Sequence, residues 1–473
     1  MTQEQRRWWA LVVLCLGELM IVLDTTIVNV ALPSIHADLG FTETTLVWVV
    51  NAYMLTYGGF LLLGGRLGDL YGHRRLFLAG LVMFTLASLV CGIASTQWAL
   101  VTARAVQGLG GAVVSAVALS LIMMLFPEPQ ARAKAMGVYG FVCAGGGSVG
   151  VLLGGLLTSQ FNWHWVFLVN LPVGAGVFAL TMWLVQPGRG ERVRLDVAGA
   201  VTVTLSLLLA VYGVVDGNRA GWSSVQTIAL LGGAVALFLA FIAIEARARS
   251  PLMPLALFRI RNVAVANASG VLWAAAMFAW FFISALYMQL VLGYDPMQVG
   301  LAFLPSNLIM AAFSLGLSAR MVMRYGLRIP LVVGLLLVGA GLALFARAPV
   351  NGDFWLDVLP PMLSLGLGCG VALNPVLLAA MSGVDEKDAG LASGVVNTAF
   401  MMGGALGLAV LASGAAARTE MLQAAGATGA AALNGGYQLA FAAGAACAFA
   451  AAAIAWFMRE ANAVSSGSAS VSA

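Results

Sequence analysis

The chain has 473 residues, 61% of them apolar and 9% charged, with a formal net charge of +4. Ordinary globular chains carry roughly 25% charged residues, so this composition cannot cover a water-soluble body of that size. It excludes a soluble enzyme, a secreted disulfide scaffold and a disordered interaction protein, and it places the chain in a lipid bilayer.

The positive balance does not point to nucleic acid. The basic residues are all Arg except Lys134 and Lys387, and they stand in short clusters between apolar runs rather than on one face. Cys15, Cys91, Cys143, Cys369 and Cys447 fall inside apolar runs without CxxC spacing and read as packing residues. The three histidines have no second ligand beside them, so no metal site is expected.

A bilayer core of about 30 Å takes about 20 helical residues. Fourteen apolar runs of that order follow one another along the chain, near 9–32, 46–65, 76–95, 98–125, 135–158, 165–185, 197–215, 225–244, 263–291, 298–319, 329–346, 355–380, 391–416 and 437–457. The first is too long for a signal-peptide core and holds two acids, so it is a retained helix. With the N-terminus in the cytoplasm, nineteen Arg and Lys fall in inside segments, Arg189, Arg192, Arg194, Arg249 and Lys387 among them. Only Arg219, Arg347 and Arg418 fall outside, a strong positive-inside bias that puts both termini in the cytoplasm.

The expected organisation is a six-helix unit over 1–185, an inserted helix pair with its linkers over 186–250, a second six-helix unit over 251–460 and a disordered tail over 461–473. The longest outside segment, about 417–436, is Ala/Gly-rich and carries no catalytic constellation. A chain that is almost all spanning helix moves something across the membrane. A membrane-embedded enzyme or lipid-handling protein is the rival class.

The loop after the second run reads Gly65-Arg66-Leu67-Gly68-Asp69-Leu70-Tyr71-Gly72-His73-Arg74-Arg75. Aligning Gly72 with Gly326 also aligns Tyr71 with Tyr325 and Arg74 with Arg328, the offset expected of two repeated halves with an extra pair between them. This loop fits the pattern G-x-L-x-D-x-x-G-x-R, and the chain here resembles the major facilitator superfamily. Arg104-Ala105-Val106-Gln107-Gly108 is similar to the family's R-x-x-Q-G motif. The run from Leu23-Asp24-Thr25 to Pro33 resembles the hallmark of the fourteen-span drug:proton antiporters. Trp163 to Pro172 and Leu257-Phe258-Arg259 add to the likeness.

The resemblance implies an all-α membrane protein of two six-helix bundles around a central cavity, with two inserted helices and fourteen spans in all. It implies that Gly65, Asp69, Gly72 and Arg74 form a conformational latch, and that Asp24 and Arg104 are functional. The fifth-helix antiporter motif, usually G-x-x-x-G-P-x-x-G-G, is represented by Gly146, Gly150, Gly154 and Gly155. Val151 stands where proline is expected, so the proline bend is missing from the pattern. The second loop repeat has Met323 in place of the acid, and Phe400-Met401-Met402 replaces an Arg-Gln pair common in relatives.

Only Glu18 and Asp24 are acids lying well inside spans, and a charge at the centre of a membrane helix costs roughly 2.5–3.5 kcal/mol, so such residues have a task. At ~1.5 Å per residue Glu18 lies about 15 Å from Trp8, near the midplane, and Asp24 about 13 Å from Pro33. Six residues at about 100° each set the two about 120° apart around the helix. Arg104, about 9 Å from Trp98, matches the depth of Asp24 and is its expected partner, while Glu18 is left without a cation. A carboxyl without a cation is suited to exchanging protons, which makes Glu18 the leading proton or cationic-substrate group, with Asp24 kept as the alternative.

Polar groups avoid lipid, which marks Asn29, Asn51, Tyr57, Gln107 and Asn397 as cavity candidates. Trp273, Met277, Tyr287 and Gln289 join them from the ninth run, whose aromatic and Met side chains suit lipophilic cations. Gly366-Leu367-Gly368-Cys369-Gly370 lacks the preceding strand and the Lys of a nucleotide loop, and no Walker motif occurs. No cofactor is expected, and energy comes from the proton gradient. The expected activity is proton-coupled export of lipophilic, cationic or neutral compounds across the inner membrane by a monomer. A dedicated exporter of one metabolite or self-made antibiotic is the alternative, and a periplasmic adaptor is left open as a partner.

Overall fold

The computed structural model describes residues 1–186, 196–248, 251–313, 317–384 and 389–459, and all regular structure among them is helical. Several helices start and stop where the local sequence supplies a cap. Helix α1 (Gln3–Leu39) opens on a capping box in which Thr2 accepts from the Gln5 N–H, and it ends at Gly40 in the left-handed region. Helix α2 (Glu43–Tyr71) opens the same way on Thr42 and stops at Gly72, whose φ of 89° disfavours a side chain.

The rest of the first bundle is α3 (His73–Gly92), α4 (Gln97–Leu125), α5 (Pro129–Gln160), the single turn α6 (Trp165–Leu168) and α7 (Asn170–Leu184). Helices α8 (Val197–Ala220) and α9 (Val225–Arg247) form the inserted pair, capped by Asp196 and Ser224. The second bundle contains α10 (Arg261–Leu286), which runs into a π-helical turn at Tyr287–Val291, then α11 (Pro296–Ala312) and α12 (Ser318–Tyr325). It closes with α13 (Arg328–Phe345), α14 (Leu359–Met381), α15 (Ala389–Ala424) and α16 (Gly429–Ala455).

Twelve helical stretches among the described residues are long and apolar enough to cross a bilayer, where the sequence leads one to expect fourteen. The fifth and tenth expected spans correspond to α5 and α11. Their apolar portions, Val149–Gln160 and Pro296–Ala312, are shorter than a full span. The first half of α5 is diluted by Arg132, Lys134 and glycines, and 314–316, between α11 and α12, lie outside the described residues. So do Arg189, Arg192, Arg194, Arg249, Lys387 and the tail 461–473.

The chain is a multi-pass membrane protein. Helices α1–α7 pack together, α10–α16 pack together, and α8 lies against α9, α2 and α15. The two bundles meet along α2 with α15 and along α5 with α11. At one end, arginines bind main-chain carbonyls at helix ends. The Arg6 Nε donates to Leu184 O at 3.0 Å, Arg74 Nη2 to Met182 O at 2.7 Å, and Arg261 Nε to Phe457 O at 2.8 Å. Cations there suit the negative end of the helix dipole.

Candidate functional site

Close helix approach builds the site before any polar group does. Where α4 passes α3, a Cβ at Gly110 would stand 2.7 Å from Phe84 N and 3.0 Å from Gly80 O. Where α5 passes α1, a Cβ at Gly154 would stand 2.6 Å from Ile27 O, and one at Gly150 would stand 3.0 Å from Leu23 O. Only glycine permits such contact between backbones. Gly146, Gly150 and Gly154 therefore form one seam against α1, while Gly155 faces the second bundle, 2.7 Å from Pro296 O by the same measure. Helix α5 runs unbroken through the buried Val151, so this seam sits on a continuous helix.

That packing closes α1, α2, α3, α4 and α7 around a polar network. The Asp24 carboxylate pairs through Oδ2 with Arg104 Nη1. Its Oδ1 accepts from Gln107 Nε2 at 2.7 Å and from Asn170 Nδ2 at 3.1 Å. Arg104 donates again to Gln107 Oε1 at 2.6 Å and, through Nε, to Val49 O at 2.9 Å. Gln107 Nε2 also donates to Ser88 Oγ at 2.7 Å, and the Cys91 thiol donates to Gln107 Oε1 at 3.7 Å. Tyr53 lies under the guanidinium, 4.4 Å from ring centroid to Cζ, and Phe167 flanks it at 5.6 Å. Asp24 is 0% and Arg104 1% exposed, so the pair is stabilised by this shell of donors and acceptors rather than by water.

Glu18 lies six residues earlier on α1, about 9 Å along the axis and on another side of the helix. It is 4% exposed and forms no ion pair among the described residues. Ser115 of α4 and Tyr139 of α5 face its carboxyl, and its Oε2 has no hydrogen-bond partner among the described residues. The two acids therefore occupy different chemical settings on one helix, Asp24 bound to a cation and Glu18 without one among the described residues.

The structure distributes the other candidates unevenly. Gln107 belongs to the Asp24 network rather than to an open cavity. Asn29 bonds locally to Thr25 O at 3.2 Å. Asn51 donates to Ala405 O at 3.0 Å and Gln289 to Val30 O at 3.0 Å, so both join the two bundles. Tyr57 stacks on Tyr53 at 5.8 Å. Trp273 is buried edge-on to Phe400 at 5.3 Å, Met277 is half-buried and Asn397 is exposed.

Tyr287, expected on a cavity, is fully buried. Its hydroxyl donates to Pro349 O at 2.8 Å and its ring packs among Phe345 and Phe441, inside the second bundle. In the expected latch, Gly72 ends α2, Gly65 is half-buried and Arg74 binds α7 of its own bundle. The Asp69 side chain lies outside the described residues. Sequence reasoning missed Ser88, Asn170 and Tyr53; an Asn inside an apolar run, just after Trp165-Val166-Phe167-Leu168-Val169, was the available signal. An apolar groove of about 1050 Å³ on α3, α4 and α7, lined by residues such as Leu86, Trp98 and Phe178, contains none of the candidates.

Residues 14–408 match the family model described as Major Facilitator Superfamily. Similar proteins include the puromycin resistance protein of Streptomyces alboniger, 40% identical over 86% of this chain and 82% of that one. The cephamycin export protein CmcT of Amycolatopsis lactamdurans is 39% identical over 85% of this chain and 84% of its own. The multidrug resistance protein Stp of Mycobacterium tuberculosis is 38% identical over 84% and 74%. Among solved structures, a bacterial homologue of the human drug peptide transporters superposes with a TM-score of 0.65 at 15% identity, covering 95% of this chain and 97% of that one, a likeness of fold. Two helical bundles meeting at α2–α15 and α5–α11, with a family match across both, make this chain a member of the major facilitator superfamily.

Proposed function

We propose that the chain is a proton-coupled antiporter of the fourteen-span drug:proton type. It exports lipophilic, cationic or neutral compounds across the bacterial inner membrane by alternating access. The observation that carries this is the pair of buried acids on α1, Asp24 neutralised by Arg104 and Glu18 without a cationic partner among the described residues. A carboxyl held without a cation is a group that a proton or a cationic compound can neutralise in turn. In this reading Glu18 exchanges proton for substrate, and the Asp24–Arg104 pair opens and closes with the bundles. Relatives named for antibiotic export and multidrug resistance support the direction and the class of cargo.

The test is internal pH in proteoliposomes under an imposed proton gradient, with lipophilic cations added to wild type, Glu18→Gln and Asp24→Asn. Compound-driven proton movement in wild type, lost in Glu18→Gln, is the expected result. Loss in Asp24→Asn alone would move the coupling site to the ion pair. A narrower reading, export of a single metabolite or self-made antibiotic, is favoured by relatives named for one compound, puromycin or cephamycin. Proton movement with one compound class and none with lipophilic cations would select it.

A further inference from the structure

Two acids on different sides of α1 can act together only if something links them, and Tyr53, which packs on the Asp24–Arg104 pair, carries its hydroxyl to Gly111, where an added Cβ would also meet Ile21 of α1 at 3.6 Å. Tyr53 of α2 presents its ring face to the Arg104 guanidinium at 4.4 Å. Its hydroxyl extends away from that pair toward α4, where a Cβ at Gly111 would stand 3.0 Å from it. One helical turn further along α4 is Ser115, which faces Glu18. Among the described residues, Tyr53 Oη, Ser115 Oγ and Glu18 Oε2 are all buried without a hydrogen-bond partner, and the three residues are 1%, 5% and 4% exposed. The charged and titratable groups around Tyr53 are Arg104, its partner Asp24 and the stacked Tyr57, and Tyr139 of α5 faces the Glu18 carboxyl.

We propose that Tyr53 is the positioning residue that couples the two acids of α1, its ring seating Arg104 against Asp24 and its hydroxyl serving the Glu18 carboxyl. A cation over a tyrosine face is held by the ring quadrupole, so movement of the guanidinium on breaking its pair with Asp24 moves or frees the ring. The hydroxyl travels with the ring, and a buried carboxyl that gains or loses a donor changes its hold on a proton. A Cβ at 111 would crowd the hydroxyl at 3.0 Å, so glycine there gives it space.

This inference rests on the antiporter reading, and separate variants test the two halves of the residue. Tyr53→Phe keeps the ring and removes the hydroxyl; Tyr53→Leu removes both. Compound-driven proton movement is followed across pH in proteoliposomes, with protein folding checked by monodisperse elution in detergent. Tyr53→Phe is expected to retain its maximal rate and to displace the pH midpoint by about half a unit or more. Tyr53→Leu is expected to lose about tenfold in rate at every pH, with Tyr53→Trp, which restores an aromatic face, recovering part of it. A Tyr53→Phe profile superimposable on wild type, or equal loss in Tyr53→Leu and Tyr53→Trp, would overturn the proposal while leaving antiport intact. Absence of proton movement in wild type would overturn the antiporter reading and the coupling role together.

Discussion

Arg104 binds four things at once: the Asp24 carboxylate, the Gln107 amide oxygen, the Val49 carbonyl and the face of Tyr53. With both charges fully buried, the worth of the pair lies in mutual compensation, because a lone charge there would be exposed to no water. Arg104→Leu and Asp24→Asn are each expected to lower stability by roughly 3–5 kcal/mol, since each leaves the other partner unpaired. The double variant is expected to be less destabilised than the sum of the two, the non-additivity of a shared contact. Thermal unfolding of the four proteins in detergent measures this; strict additivity would mean the pair is not the unit. The sequence made this pair legible, because Asp24 and Arg104 share a depth. It did not make Gln107, Ser88 and Asn170 legible as the same shell, since three different helices bring them there.

Helix α5 carries its function in what it lacks. Glycines at 146, 150 and 154 put no side chain between α5 and α1, so the helix bearing both acids is fixed against a smooth wall. A methyl at 154 would meet the Ile27 carbonyl at 2.6 Å, and the two backbones would have to separate. Gly154→Ala is therefore expected to cost roughly 1–3 kcal/mol in unfolding measurements, with exchange falling in parallel, as over-packing does. Gly147→Ala, where the nearest atom lies 3.8 Å from the added Cβ, is the control and should be near neutral. The spacing of four was readable as a packing face. Which helix it faced, and that Gly155 turns instead to α11, were not readable, because a helical repeat defines a face and not its partner.

At the scale of the whole molecule, contacts that tie the bundles together away from the arginine-rich end include Asn51 to Ala405, Gln289 to Val30, and Gly155 to the start of α11. Alternating access requires such a closure to release. Gly155→Leu places a branched chain where Pro296 O is 2.7 Å from its Cβ and is expected to wedge α5 from α11. In a cysteine-free background, Gln289→Cys should then react faster with a membrane-impermeant thiol reagent. Unchanged reactivity would mean this seam does not gate that end.

Composition alone put the chain in a bilayer, because a body with 9% charged residues has no other solvent in which it can hide its surface. Length and apolar runs then gave the helices, and the loop and helix motifs the resemblance to the family, since in lipid every main-chain polar group must be satisfied within its own segment. What only the tertiary structure decided is which polar atoms meet. Tyr287 looked like a cavity residue and bonds to Pro349 in a bundle core, whereas Tyr53 drew no notice and lies between Arg104 and Gly111. The physical reason is the same in both cases. An apolar helix has no strong amphipathic stripe in lipid to orient it, so the direction in which a tyrosine points is set by neighbouring helices and not by its own sequence.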